Sequence, residues 1–206
     1  MPVSPERAAL ANRPAQAATA LLVVDMISSW SFPDGDVLAA RALRIAPAIG
    51  ALRRRCRAAG VPTVFVNDNE GHWRSDFRRL LEKTLQDGGP GAAIAAELAP
   101  DDGDYAVLKP KHSAFFATPL DLLLRHLRVQ RIVLAGVTAD QCILWTAAEA
   151  RVRDYGIVVA SDGVAALTTQ RQNAALRTMR EAVGASVVVS RSVRWTKARP
   201  SAGGRG

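Results

Sequence analysis

The sequence predicts an α/β fold, a three-layer sandwich with a six-stranded, mostly parallel, doubly wound sheet. Short apolar runs alternate with segments of helical character along the whole chain, which is the pattern of strands joined by helical crossovers. Most of the runs are continuously apolar rather than alternating, as expected for parallel strands that helices cover on both faces. Since 206 residues, 49% of them hydrophobic, are enough for one well-buried core, one main domain is expected.

Each predicted strand is a short apolar run, and the six runs are 20–24, 62–66, 105–108, 131–135, 157–160 and 185–189. The predicted helices lie between them, over 37–59, 92–98, 119–128, 140–155 and 170–183. Gly60, Gly156 and Gly184 follow three of these helices, where a glycine readily takes the left-handed conformation that ends a helix. Pro119 stands in the first turn of another helix, where proline is well tolerated.

Charge and composition divide the chain into a domain and two extensions. We expect an N-terminal extension over 1–18, one domain over 19–190 and a basic, disordered tail over 191–206. Five of the eight net positive charges lie in that tail, so the domain itself is nearly balanced. A nucleic-acid binder would gather its basic residues on a folded face, and nucleic-acid binding is therefore not predicted.

The sequence also predicts a cytoplasmic protein without a membrane span. Its apolar runs are far shorter than the roughly 18 residues that a transmembrane helix needs. The N-terminus has no unbroken apolar segment of the kind found in signal peptides. The two cysteines, Cys56 and Cys142, form no disulfide framework, which favours a reducing compartment.

Candidate catalytic residues follow three of the predicted strands. Ligands of open α/β sheets bind at the carboxyl ends of the strands, where the strand order reverses. Asp25, Lys109 and Cys142 all stand at such ends. A carboxylate can act as general acid and base, and the start of a helix lowers the pKa of a thiol.

Each of these residues also has a purely structural interpretation. Asp25 can order a loop, Lys109 can reach solvent, and Cys142 can be a small buried apolar group behind Asp140 as helix cap. Position alone does not separate Lys109 from Lys111 in the Lys-Pro-Lys run. Cys56, late in an arginine-rich helix, is interpreted as a packing residue.

Three segments together resemble the isochorismatase-like cysteine hydrolases. The chain has LLVVDM over 21–26, KPKHSAFFATPLD over 109–121 and GVTADQCILWTA over 136–147. The family pattern is an apolar strand ending in D-M-Q, then K-x-x-x-S-A-F, then G-V-T-x-D-x-C-V. Their order and their places at strand ends agree, and the resemblance covers about residues 20–189.

The resemblance implies a catalytic trio of Asp25, Lys109 and Cys142. Asp25 takes the thiol proton, Cys142 attacks a carbonyl carbon, and Lys109 keeps Asp25 ionised. It also implies an oxyanion hole made of the backbone N–H groups of Thr138 and Cys142, with a cis peptide between Val137 and Thr138.

The sequence departs from this family pattern in two places. Ile27 stands where many relatives have glutamine, so the contacts of that residue are expected to differ. Nicotinamidase-like relatives add a metal site of one carboxylate and two histidines after the second strand. Only His72 lies there, while His112 and His126 lie elsewhere, so neither a metal nor another cofactor is predicted.

A polar and aromatic segment over 66–73 follows the second strand and resembles the N-D-N-x-G-x-W run of a bacterial subgroup of the family. We expect Trp30, Trp73 and Phe116 to wall an apolar pocket, with Asn67 and Asn69 orienting the ligand. The alternative is that these residues only order loops through Asx turns and ring packing.

The predicted function is hydrolysis of a C–N bond in a small amide or carbamoyl compound, through a thioester intermediate. Vinyl ether hydrolysis, as in isochorismatase itself, is the first alternative, and a catalytically silent binding relative is the second. A Rossmann-like nucleotide-binding domain would carry G-x-G-x-x-G after its first strand, and this chain does not. The family resemblance also implies a homo-oligomer, a dimer or tetramer, acting on a small-molecule substrate.

Overall fold

The chain folds around a parallel β-sheet. The computed structural model describes residues 18–71, 73–74 and 76–195. The strands are β1 (Thr19–Val24), β2 (Thr63–Asp68), β3 (Tyr105–Lys109), β4 (Arg131–Val137), β5 (Gly156–Ala165) and β6 (Ser186–Val188). All five pairs of neighbouring strands are parallel. The predicted six-stranded α/β sandwich is therefore confirmed.

Helices cover both faces of this sheet. The α-helices are α1 (Gly35–Ala58), α2 (Phe77–Asp87), α3 (Gly89–Leu98), α4 (Leu120–His126), α5 (Leu144–Val152) and α6 (Thr169–Glu181). A π-helical turn, Ala139–Ile143, precedes α5, and a 3₁₀ turn, Ser190–Ser192, follows β6. Helices α1 to α3 pack on one face of the sheet, and α4 to α6 pack on the other.

The continuous apolar character of β1 has a direct structural cause. Successive side chains of a strand point to opposite faces of its sheet. Leu22 and Val24 lie in the core beneath α4 to α6, while Leu21 and Val23 lie in the core beneath α1 to α3. All four are fully buried, so a polar residue in this strand would lie in one core or the other.

The order of the strands determines where along the sheet a binding crevice forms. The order is β3-β2-β1-β4-β5-β6, so the chain builds outward from β1 in one direction and then returns to build outward from β4. The reversal lies between β1 and β4, and a crevice forms at the carboxyl ends of such strands. Asp25 follows β1, and the π-helical turn with Cys142 follows β4.

Two helical segments differ from the sequence predictions. Helix α2 was not predicted, although Phe77, Leu80, Leu81 and Leu85 recur along it at helical spacing. The helix predicted over 140–155 begins instead as a π-helical turn. Thr138 rather than Asp140 holds the cap position of that turn.

Residues 191–195 pack against the domain rather than extending as a tail. Val193 is buried beside α1, and Arg55 donates hydrogen bonds to the carbonyls of Ser190 and Val193 at 2.7 and 2.8 Å. The expectation of disorder is therefore wrong for these five residues. The predicted extension over 1–17 and the rest of the predicted tail, 196–206, lie outside the described residues. Among the described helices, none has the length and apolar character needed to cross a bilayer.

Gly136→Ala tests how closely β1 and β4 approach at the reversal. Gly136 has φ +119°, and a Cβ there would lie 2.0 Å from the carbonyl oxygen of Val24. Because neither strand can retreat without breaking the sheet, we expect the free energy of unfolding to fall by about 3 kcal/mol or more in urea denaturation.

Gly184→Ala is the matched control. Its φ is also positive, at +75°, but a Cβ would meet no atom of the described residues within 4 Å. We expect a loss of about 1 kcal/mol from backbone conformation alone. Equal losses in the two variants would contradict the close approach at Gly136.

Candidate active site

A cavity of about 580 Å³ opens at the reversal between β1 and β4. Asp25 and Cys142 lie in its wall, together with Thr138 from the segment that follows β4. The loop between β1 and α1 supplies an apolar side, with Ile27, Trp30 and Phe32, and Leu38 of α1 extends it. The cavity therefore combines a nucleophile and a carboxylate with an apolar surface large enough for a small organic molecule.

Lys109 links the members of the predicted trio. Its ammonium Nζ lies 2.9 Å from Oδ2 of Asp25 and 3.5 Å from Sγ of Cys142. Lys109 is fully buried at the end of β3, and the Cys142 side chain also hydrogen-bonds to the Asp25 carboxylate. Three residues that are far apart in sequence thus form one contiguous group.

Asp68, at the end of β2, also contacts this group. Its backbone N–H donates to Oδ1 of Asp25 at 2.7 Å, and its side-chain Oδ2 lies 3.6 Å from Nζ of Lys109. Asp68 was not among the predicted site residues, although it follows the second predicted strand, 62–66. Strand β2 continues two residues further and pairs Asp68 with Lys109.

The Cys142 thiol has a pKa far above its ordinary value. Burial and the negative charge of Asp25 together raise the pKa to about 12, against the opposing effect of the positive charge of Lys109. Lowering of this pKa by the start of the helix stays a prediction. At neutral pH the residue is a thiol, and any reaction that used its sulfur as a nucleophile would have to remove the proton.

Asp25 and Lys109 are perturbed in ways that suit this task. Burial raises the pKa of Asp25 above its usual value, although Lys109 and the hydrogen bond from Cys142 both lower it. The expectation that Lys109 simply keeps Asp25 ionised omitted this burial. Burial lowers the pKa of Lys109, but Asp25, Cys142 and Asp68 together outweigh that effect and raise it. Lys109 is therefore a cation at neutral pH, beside a carboxyl group whose affinity for protons is increased.

The segment after β4 presents backbone N–H groups beside the thiol. The peptide bond between Val137 and Thr138 is cis. The N–H groups of Gln141 and Ile143 both donate to the carbonyl of Thr138, at 3.2 and 3.1 Å. Thr138 and Cys142, whose N–H groups are the expected oxyanion donors, both line the cavity.

Two of the five predicted substrate-binding residues line the cavity. Trp30 forms part of its apolar side, and Asn67 lies beneath it, almost fully buried. The Asn67 amide donates to the carbonyl of Ile27 at 2.8 Å, so it supports the loop between β1 and α1. Ile27, which replaces the glutamine of many relatives, contributes an apolar side chain to the core.

The other three predicted residues lie elsewhere. Asn69 and Trp73 line a neighbouring groove of about 570 Å³, and Oδ1 of Asn69 accepts the N–H of Gly71 in an Asx turn. Phe116 is half exposed and belongs to neither cavity. The expectation that Trp73 and Phe116 wall the same pocket as Trp30 is therefore wrong for the single chain.

Residues that were not predicted from the sequence extend the polar rim of the cavity. Ser28 donates to Oε1 of Glu70 at 3.2 Å and accepts the N–H of Trp30 at 3.0 Å, which connects the loops after β1 and β2. His112 and Gln141 also line the cavity. No sequence motif distinguishes these contacts, because they join loops that are far apart along the chain.

The histidines do not gather into a metal site in the described part of the chain. No group of three or more histidine, cysteine, aspartate or glutamate residues there has metal-binding geometry. His112 lines the cavity, and His126 ends α4. His72 lies outside the described residues, so the absence of a metal stays a prediction.

Comparisons with known proteins agree with the fold and with the motifs. A family model described as "Isochorismatase domain" matches residues 19–191. The isochorismatase family protein YaaI of Bacillus subtilis is 33% identical over 174 residues, which span 84% of this chain and 95% of YaaI. The ureidoacrylate amidohydrolase RutB of Serratia proteamaculans is 30% identical over 186 residues, which span 78% of this chain and 73% of RutB.

A solved structure is also similar to this chain in fold and in sequence. The crystal structure of N-carbamoylsarcosine amidase from Thermoplasma acidophilum matches with a TM-score of 0.63 and 31% sequence identity. The match covers 85% of this chain and 98% of that one.

The ionisation of Cys142 can be measured in the Cys56→Ala background through the ultraviolet absorbance of the thiolate. Cys56 is replaced because burial also raises its pKa to about 12. We expect no Cys142 thiolate at pH 9. Asp25→Asn should lower the pKa of Cys142 by removing a negative charge, and Lys109→Met should raise it. Ionisation of Cys142 below pH 9 in the Cys56→Ala protein, or shifts of the opposite sign, would contradict the arrangement described above.

Proposed function

Because the chain belongs to the isochorismatase family of hydrolases, we propose that it cleaves a C–N bond of a small amide or carbamoyl compound. The reaction passes through a thioester on Cys142. The observation that carries this proposal is the position of Lys109, fully buried with Nζ 2.9 Å from the Asp25 carboxylate and 3.5 Å from the Cys142 sulfur. A cation held between a base and a thiol favours transfer of the thiol proton.

The first half of the reaction forms the thioester. Asp25 takes the proton from Cys142 while the sulfur bonds to the substrate carbonyl carbon, and the carbonyl electron pair moves onto oxygen. Burial has already raised the affinity of Asp25 for a proton, which helps it to act as a base. When the oxyanion collapses, the C–N bond breaks and Asp25 returns the proton to the leaving nitrogen.

The backbone amides of Thr138 and Cys142 stabilise the oxyanion in this proposal. Both residues line the cavity, in the segment that follows β4. Donors that are already oriented toward the developing charge need no reorganisation during the reaction.

The second half of the reaction regenerates the enzyme. A water molecule attacks the thioester carbon while Asp25 accepts one of its protons. The C–S bond then breaks, the carboxylic or carbamic acid leaves, and the proton returns to the Cys142 sulfur. The ammonium group of Lys109 stays in place throughout and offsets the negative charge that moves between Asp25, sulfur and oxygen.

The relatives with named substrates support the choice of an amide or carbamoyl bond. They are a ureidoacrylate amidohydrolase and an N-carbamoylsarcosine amidase, whose substrate names both denote a carbonyl group bonded to nitrogen. A cavity of about 580 Å³ with Trp30, Phe32 and Leu38 on one side suits a substrate of similar size with an apolar portion.

The compartment and the assembly belong to the same proposal. We expect a cytoplasmic enzyme, because free thiols at Cys56 and Cys142 persist in a reducing compartment. We also expect a homodimer or homotetramer. The exposed apolar side chains Leu122, Trp145 and Val152 on α4 and α5 are surfaces that a second copy would cover.

Replacing the nucleophile tests the mechanism. We expect Cys142→Ala to lower ammonia release from primary amides and carbamoyl compounds by a factor of about 10³ or more, with an unchanged circular dichroism spectrum. Cys56→Ala is the control and should keep full activity, because Cys56 lies on the buried face of α1, away from the cavity. Mass spectrometry of wild-type protein quenched during turnover should show an acyl group on Cys142. Turnover without this adduct would favour vinyl ether hydrolysis, and no turnover of any compound would favour a silent binding protein.

The apolar side of the cavity is tested with aromatic variants. Trp30→Ala should raise KM about tenfold with a smaller effect on kcat, because it removes apolar contact with the bound substrate. Trp73→Ala and Phe116→Ala are the matched controls, since both side chains lie outside this cavity. A larger KM effect from Trp73 or Phe116 than from Trp30 would refute this assignment.

A further inference from the structure

The turn that carries Cys142 is held by an ion pair that the mechanism above does not use. Asp140 lies in the π-helical turn, two residues after Thr138 and two before Cys142. Arg171, in the first turn of α6, donates from Nε to Oδ2 of Asp140. The side chain of Asp140 is 16% exposed and that of Arg171 is 43% exposed, so the pair lies at the edge of the protein with its acidic member turned inward.

Among the described residues, the charge of the Asp140 carboxylate is compensated by its ion pair with Arg171. Its other carboxylate oxygen, Oδ1, is buried and has no hydrogen-bond partner among the described residues. A carboxylate that is mostly removed from water needs a countercharge, because an unpaired buried charge is strongly unfavourable. Without Arg171, the Asp140 side chain would have to move toward solvent or keep an uncompensated charge beside the turn.

The start of α6 fixes the position of Arg171. The Thr168 hydroxyl caps the helix and accepts the backbone N–H of Arg171 at 3.1 Å. Arg41 of α1 donates to Oγ1 of Thr169 at 3.2 Å and to Oε1 of Gln172 at 3.4 Å. Since α1 and α6 cover opposite faces of the sheet, these bonds join the two helical layers beside the catalytic turn.

We propose that Arg171 is a positioning residue of the hydrolytic site and acts through Asp140. It holds the π-helical turn in place, and it neutralises the only charged side chain of that turn. The N–H groups of Thr138 and Cys142 are thereby kept in the orientation that stabilises an oxyanion. This inference rests on the function proposed above and adds a residue outside the cavity to its machinery.

Arg171 is expected to support the oxyanion electrostatically as well as by holding the turn in place. The amide dipoles of the turn stabilise a developing negative charge on the substrate oxygen. An unpaired Asp140 carboxylate, two residues from each donor, would oppose that charge in a region of low dielectric. Arg171 neutralises the charge of the Asp140 carboxylate. Loss of the Arg171 charge should therefore lower the rate of oxyanion formation more than it lowers the affinity for substrate.

Two reactions of Cys142 separate this role from a general effect on the thiol. In acetylation by p-nitrophenyl acetate, sulfur bonds to the carbonyl carbon, an oxyanion forms, and the bond to p-nitrophenolate breaks as the thiol proton is lost. Alkylation by iodoacetamide displaces iodide from a saturated carbon and forms no oxyanion. Both rates are measured at Cys142 by mass spectrometry of the full chain in wild type, Arg171→Gln, Arg171→Lys and the double variant Asp140→Asn with Arg171→Gln.

We expect Arg171→Gln to slow acetylation about tenfold and to change alkylation by less than about twofold. Arg171→Lys should keep most of the acetylation rate, because the positive charge remains. The double variant should recover to within about threefold of wild type, because the opposing charge is gone. If the ion pair only held the turn in place, it would be lost in Arg171→Gln and in the double variant alike, and the acetylation rate of the double variant would not recover. Arg125→Gln, which breaks an ion pair with Asp121 on α4, is the control and should leave both rates unchanged.

Three results would overturn the role of Arg171: an unchanged acetylation rate in Arg171→Gln, equal slowing of both reactions, or no recovery in the double variant. These results are distinct from failure of the proposed function. If the wild-type protein acquires no acetyl group on Cys142, the cysteine mechanism itself is wrong, and the positioning role is wrong with it.

Discussion

The buried ammonium group of Lys109 is the interaction on which the rest of the site depends. Removing a charge from water costs several kcal/mol in a protein interior unless partners compensate it. Here the partners are the carboxylates of Asp25 and Asp68 and the sulfur of Cys142. Lys109 itself ends β3, and its partners come from the ends of β1 and β2 and from the turn after β4. The cation can therefore be accommodated only when that edge of the sheet is fully assembled.

In the proposed mechanism, the same cluster explains how a thiol that stays protonated in the free protein acts as a nucleophile. Burial and the nearby carboxylate raise the pKa of Cys142 to about 12, and burial also raises the pKa of Asp25. The two groups compete for one proton beside a fixed cation, so transfer from sulfur to carboxylate redistributes charge within the cluster without creating a new isolated charge. The free protein therefore keeps its cysteine in the less reactive form until a carbonyl group is bound.

The surroundings of this cluster show how the fold supports chemistry at one edge. Gly136 lets β1 and β4 approach closely just before the catalytic turn. The loop after β1 provides the apolar side of the cavity and is held by Asn67 and by the contact between Ser28 and Glu70. Arg171 and Asp140 hold the opposite side, where α6 meets the turn. Each of these contacts joins segments that are remote along the chain, so the cavity has the shape of the assembled sheet edge rather than of any one loop.

By itself the sequence determined the strands, the order of the chemical groups along the chain and the trio of Asp25, Lys109 and Cys142. Those features are local: continuous apolar runs bury both faces of a strand, and a short motif specifies each strand end. Helix α2 was missed although its apolar residues recur at helical spacing. The part played by Asp68 was not determined by the sequence, because it depends on the pairing of Asp68 with Lys109 between β2 and β3. Only the tertiary structure decided that Trp30 and Asn67 share a cavity with Cys142 while Asn69, Trp73 and Phe116 do not. The physical reason lies in the packing between distant segments. This packing decides which cavity a loop residue lines, and no local sequence pattern encodes it.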